Sequence, residues 1–199
     1  MGRPVNSANS PRVSKNNSDE SATTMGIAMG DSQRLVVLHG EVNEASISLV
    51  VAQLLHLASQ NQKPIYLVIS TYGGSVDEMF TLYDTIKFLP CPVHTIALGK
   101  VMSAGVLLLA TGAKGYRMIG KSARVMIHPI SGGVGGNVFE VMNESKEHKR
   151  MQDQMVDAIV KETKATRAEI DKIMKSGHDF YLLPEQAVKL GIVDKIIGE

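Results

Sequence analysis

The chain has little of what directs a protein to a particular compartment or ligand. A single cysteine, Cys91, excludes an internal disulfide framework and suits a reducing compartment. It lies between Pro90 and Pro92 with no cysteine–histidine set of zinc spacing around it, and reads as a structural thiol in a connector. Charge of one sign is missing as well: 21 basic residues against 20 acidic ones leave no global field for nucleic acid or an anionic membrane. No apolar run approaches the ~20 residues of a membrane span, and the N-terminus lacks the apolar core of a secretory signal. These absences predict a cytoplasmic protein with neither membrane nor nucleic-acid partners.

Residues 1–30 are poor in apolar groups and rich in Asn, Ser, Gly and Pro. They cannot bury enough surface to offset their ordering entropy, which predicts a disordered N-terminal segment ahead of one domain over 31–199. From Arg34 the texture changes. Short apolar runs at 35–38, 65–69 and 93–97 predict buried strands, the first ended by Gly40. Between them lie helical spacings, one capped by Asn43 and one opened by the box Ser75-Val76-Asp77-Glu78. Buried parallel strands joined by helices make an α/β architecture, whose ligands bind where strands end and helices begin.

After the third run comes Lys100-Val101-Met102-Ser103-Ala104-Gly105, followed by Leu107-Leu108-Leu109, apolar on every face. Two readings of Ser103 are open at this point. It is an N-cap with small neighbours for close packing, or a nucleophile near unpaired amides and the positive end of a helix dipole. The stretch is not the G-x-S-x-G elbow, since Val101 stands at its first glycine.

Further on, two short strands at 116–119 and 123–127 end at His128-Pro129. The run Ser131-Gly132-Gly133-Val134-Gly135-Gly136-Asn137 fits neither a dinucleotide fingerprint nor a phosphate loop. A long charged helix over 139–163 carries a thin apolar seam of the kind that packs on another subunit. Thr166 caps a helix ending at Gly177, His178-Asp179-Phe180-Tyr181 follows, and a short helix from Pro184 precedes a last strand over 192–197. Ser103, His128 and Asp179 thus stand at element ends. A serine hydroxyl needs an imidazole to take its proton and a carboxylate to orient that imidazole. Each also has a plain structural role, and periodicity alone does not assign a triad.

Several blocks, in order, resemble the ClpP family, the proteolytic subunit of the ATP-dependent Clp protease. They are Gly73-Gly74, Met102-Ser103-Ala104-Gly105, Ala110-Thr111-Gly112-Ala113-Lys114-Gly115, Arg124-Val125-Met126-Ile127-His128 and Ala187-Val188-Lys189-Leu190-Gly191-Ile192-Val193-Asp194. The resemblance spans Arg34 to Val193. It implies a crotonase-like α/β spiral of ββα units with a protruding strand–helix handle at about 131–163. It further implies Ser103 as nucleophile, His128 as general base, Asp179 as orienting acid, and Gly73 and Ala104 as oxyanion-hole amides. The partners it implies are a homo-oligomer of two stacked heptameric rings, a hexameric Clp ATPase unfoldase and unfolded polypeptide as substrate. ATP is used by the unfoldase, and no cofactor or metal is expected in this chain. One departure concerns the site: Ser70-Thr71-Tyr72 stands where the family usually has Asn-Ser-Pro, and tyrosine is less rigid than proline.

Two further classes compete. One is a catalytically inactive ClpP-like structural subunit of a mixed ring. The other is an acyl-CoA enzyme on the same fold, which needs the oxyanion hole without a serine–histidine pair. A signal-peptide peptidase of related fold would pair serine with a lysine and usually carries an anchor; Lys100 reads more simply as a solvated residue before the helix.

Overall fold

A computed structural model describes residues 34–198, so the disordered segment expected for residues 1–30 lies outside the described residues. Strands β1 (Leu35–Val42), β2 (Ile65–Gly74) and β3 (Val93–Met102) are all longer than their apolar runs. Gly40 does not end β1. At φ +96° it absorbs a register shift between His39 and Glu41, and pairing with β2 resumes beyond it.

Helices α1 (Glu44–Gln60) and α2 (Val76–Phe88) connect these strands, and the three strands pair in parallel as such crossovers require. Asn43 caps α1 reciprocally with Ser46. Ser75 accepts from the Glu78 amide at 3.3 Å, yet the expected capping box is only half made. The Ser75 amide already donates to the Val42 carbonyl at 2.8 Å, which fastens the start of α2 to the end of β1.

Beyond Gly99, at φ +70°, the sheet forks. The first half of β3 pairs with β4 (Met118–Ile119), which in turn pairs with β7 (Lys195–Ile196). The second half pairs with β5 (Arg124–Ile127), and β6 (Phe180–Leu182) adds to β5 antiparallel. Between the branches α3 (Ala104–Ala110) leaves β3 directly, with all its residues buried. The last strand is shorter than the sequence predicts. β6 is a strand the sequence does not announce, because two of its three side chains face solvent.

The core is the sheet face toward α1–α3. Leu38, Leu67, Ile69, Leu107 and Leu108 are fully buried there, each worth about 1.5–3 kcal/mol. Strands β1 and β2 fully bury one face only, while β3 also buries His94 and Met102 on its other face. Leu35, Val37 and Leu98 on the other face are exposed, against the expectation of strands buried throughout. Helix α4 (Val138–Glu162) begins at its cap Asn137 with Val138 and Phe139 in solvent, and joins the core only from Met155 onward. The strand expected before it is absent: residues 131–135 have no ladder partner among the described residues, and glycine gains little from an unpaired extended state. Helices α5 (Arg167–Ser176) and α6 (Pro184–Lys189) complete the chain.

Candidate active site

Ser103 sits at the step from β3 into α3, inside the fork. Its amide donates to the Met126 carbonyl at 2.9 Å, carrying the β3–β5 pairing one residue further. The chain then turns into the helix within that one residue, at φ +53° and ψ −124°. Among the described residues Ser103 is the one non-glycine at positive φ. Such a conformation costs on the order of 1–3 kcal/mol and collects at functional positions. The cap reading fails here, since the Ser103 side chain makes no capping bond to α3.

The hydroxyl instead lies 2.8 Å from His128 Nε2. His128 follows β5 immediately, so the β3–β5 register that holds the serine also delivers the imidazole. For Nε2 to accept from the hydroxyl, the ring must carry its proton on Nδ1. Asp179 precedes β6. The β5–β6 register pairs Ile127 with Phe180, so one further step sets Asp179 opposite His128. The side chains do not meet. Asp179 is exposed, and its carboxylate accepts from the Tyr181 hydroxyl at 3.4 Å. Serine and histidine are brought together, and the carboxylate stands beside them turned to another partner.

Two glycines make room for this arrangement. A Cβ on Gly73 would lie 2.6 Å from Ser103 Cβ, and one on Gly105 would lie 2.5 Å from Thr71 Cγ2. The Gly73 amide, expected to face the substrate, donates to Thr71 Oγ1 at 2.9 Å. Gly74, rather than Gly73, lines the cleft with its backbone, together with Ser103, Ala104 and His128. Among the described residues nothing accepts from the Ala104 amide, the first in α3. The cleft holds about 50 Å³ and is closed on its apolar sides by Val76, Ile130 and Met155. Thr71 and Met155 carry no motif that marks them. Thr71 is one residue among the polar ones before two glycines, and Met155 belongs to an apolar seam.

Lys100 does not reach the serine: its ammonium sits 4.6 Å from the Tyr72 ring centroid. Among the described residues no group of three or more His, Cys, Asp or Glu could hold a metal ion. No helix among them is long and apolar enough to cross a membrane.

A second polar cluster lies at the far end of α4. The buried Glu162 carboxylate takes the Lys87 ammonium at 2.8 Å and the Tyr83 hydroxyl at 3.1 Å. Burial pushes the Glu162 carboxyl up, but Lys87, Tyr83 and Lys114 outweigh it and hold the group below its usual range. Burial, reinforced by the Glu162 charge, pushes the Tyr83 phenol up to about 12. The Glu162 carbonyl accepts from Lys114 Nζ and, at 2.8 Å, from Arg117 Nη1. Arg117 is buried and forks onto Asp194 at 2.6 and 2.9 Å. A family model described as Clp protease matches residues 18–199, nearly the whole chain.

Proposed function

This chain belongs to the Clp protease family, and on that premise we propose that it is a serine endopeptidase that cleaves unfolded polypeptide inside an oligomeric chamber. The observation that carries the proposal is the 2.8 Å approach of His128 Nε2 to Ser103 Oγ, at a serine held in a conformation other side chains avoid. Ser103 Oγ attacks the peptide carbonyl as its proton passes to His128 Nε2. The proton then goes to the leaving amine, and water cleaves the acyl-serine by the same relay. The developing oxyanion falls to the uncommitted Ala104 amide. With the Gly73 amide held by Thr71, the second donor is the backbone of Gly74 at the cleft wall.

Asp179 orients the imidazole once its carboxylate leaves Tyr181 and turns to Nδ1. One further step of the β5–β6 register brings the two residues opposite each other, which supports this role. Two features support an oligomer. The outer face of β1 to β3 presents Leu35, Val37 and Leu98 to water, and the first turns of α4 project away from the core with Phe139 exposed. The assembly is two stacked heptameric rings fed by a hexameric Clp ATPase, with ATP consumed by that partner and no cofactor in this chain.

The Tyr181-bound state of Asp179 favours one second reading, a structural subunit that fills a ring position without turnover. Labelling the assembled protein with a fluorophosphonate, read by intact mass and peptide mapping, separates the two. A single adduct on Ser103, lost in His128→Ala, is the expected result. An assembled protein that takes no adduct is an inactive subunit.

A further inference from the structure

We infer that Tyr72 and Lys100 are positioning residues, which together brace the glycine turn against Ser103 from the sheet face opposite Thr71. The inference rests on the serine-hydrolase reading above and gives Tyr72 and Lys100 a role that reading does not assign. Strands β2 and β3 are neighbours, with Thr71 opposite Val101, so Tyr72 and Lys100 flank that pair on adjacent strands. Lys100 Nζ lies 4.6 Å from the centroid of the Tyr72 ring, well inside cation–π range. Arg124 is the register partner of Lys100 on the other side. Like charges on adjacent strands repel, which drives the ammonium toward the ring.

The turn that follows Tyr72 has no slack. Gly73 is at φ +102° and packs so closely on Ser103 that an added Cβ would overlap it. One face of the turn is fixed by buried Thr71, whose hydroxyl accepts from the Gly73 amide and whose methyl packs on Gly105. The other face is open to solvent, and Tyr72 is largely exposed. In the plane of the sheet Gly73 and Gly74 pair with Glu41 and Val42; out of that plane, a ring standing free would leave the turn packed from the Thr71 face only. The Lys100 ammonium adds a restraint on that open face, supplementing the Thr71–Val101 pairing that joins β2 to the strand carrying Ser103. A proline at this position would fix φ by its own ring; here a cross-strand side-chain pair restrains the turn from outside instead.

The test uses the full-length assembled protein and two readouts. One is the rate of fluorophosphonate adduct formation on Ser103, and the other is amide hydrogen exchange in the peptide covering 70–76. Lys100→Met and Tyr72→Leu are each expected to slow adduct formation and speed exchange by about fivefold, the scale of an exposed cation–π contact. Their double variant is expected to be no worse than either single one. Tyr72→Phe keeps the ring and is expected to stay within about twofold of the parent. In a Tyr72→Pro background the Lys100→Met change is expected to have no effect. Independent, multiplying losses in the double variant would overturn the brace, as would a Lys100→Met protein unchanged in both readouts. If the parent takes no adduct but exchange responds as described, the brace stands and the serine-hydrolase reading falls. If the parent takes adduct while exchange and rate ignore Lys100, only the brace falls.

Discussion

The two polar clusters differ in how completely their valences are used. Around Glu162 every strong group has a partner: Tyr83, Lys87 and Lys114 converge on the carboxylate, and Arg117 bridges its carbonyl to Asp194. Around Ser103 they do not. The Ala104 amide is uncommitted, Asp179 is turned to Tyr181, and Ser103 itself holds a backbone conformation that costs energy. A saturated network in a low-dielectric interior fixes structure. Open valences beside a strained residue are what a reacting substrate can complete. Burial alone would have ranked them the wrong way, since Glu162 and Arg117 are far more buried than His128.

If that contrast is sound, changes at the cleft alter rate, and changes at the network alter stability. The largest effect is expected from Ser103→Ala. Peptidase turnover should fall by on the order of 10⁴ or more, with the melting temperature held or raised. An alanine protein that keeps most of its activity would remove the distinction altogether. Next comes Gly73→Ala, where a methyl meets Ser103 and the φ is unsuited to a side chain. Displacing Ser103 by about an ångström should lower kcat/KM by about 100-fold. Steady-state kinetics beside a thermal melt would separate this from simple unfolding.

At the other cluster, Glu162→Gln should leave kcat within a factor of about two and lower stability by about 2 kcal/mol, since it strips the charge that Lys87 and Lys114 share. Both lysines reach solvent in part, so the loss is smaller than for a wholly buried pair. Denaturant melts of the variant and parent at pH 7 would measure it. A kcat loss larger than the stability loss would mean that the end of α4 communicates with Met155 in the cleft wall.

Much of this was legible in the residues. The caps Asn43 and Thr166 announced their helices, and the all-apolar run after Ser103 announced a helix buried on every side. Ordered blocks of family resemblance singled out Ser103 and His128, which the chain brings within hydrogen-bond distance. What stayed hidden depends on direction. Two adjacent glycines look alike in a sequence, yet Thr71 takes the amide of one and leaves the other at the cleft. A three-residue strand with two exposed side chains, β6, exists only because β5 offers it an edge. The half-made capping box at Ser75 reflects a strand carbonyl 33 positions earlier, which no local pattern contains.

The smallest expected effect sharpens the contrast through pH. Burial raises the Asp194 carboxyl, but the Arg117 fork and the Gly115 and Arg117 amides bring it below its usual range, as Lys87 and its neighbours do for Glu162. A carboxyl depressed on folding contributes stability that is complete above its unfolded pKa and is lost as pH falls through the folded one. The window therefore opens below the ordinary values of 4.5 for Glu162 and 3.8 for Asp194. Each group can add a slope of at most about 1.4 kcal/mol per pH unit. Melts of the parent from pH 6 to pH 3 should steepen below that point, and Glu162→Gln should flatten the upper part of the fall. Ser103→Ala should reproduce the parent curve in shape. If it flattened the curve instead, the cleft would be holding charge that belongs to the fold, and the division between the two clusters would not stand.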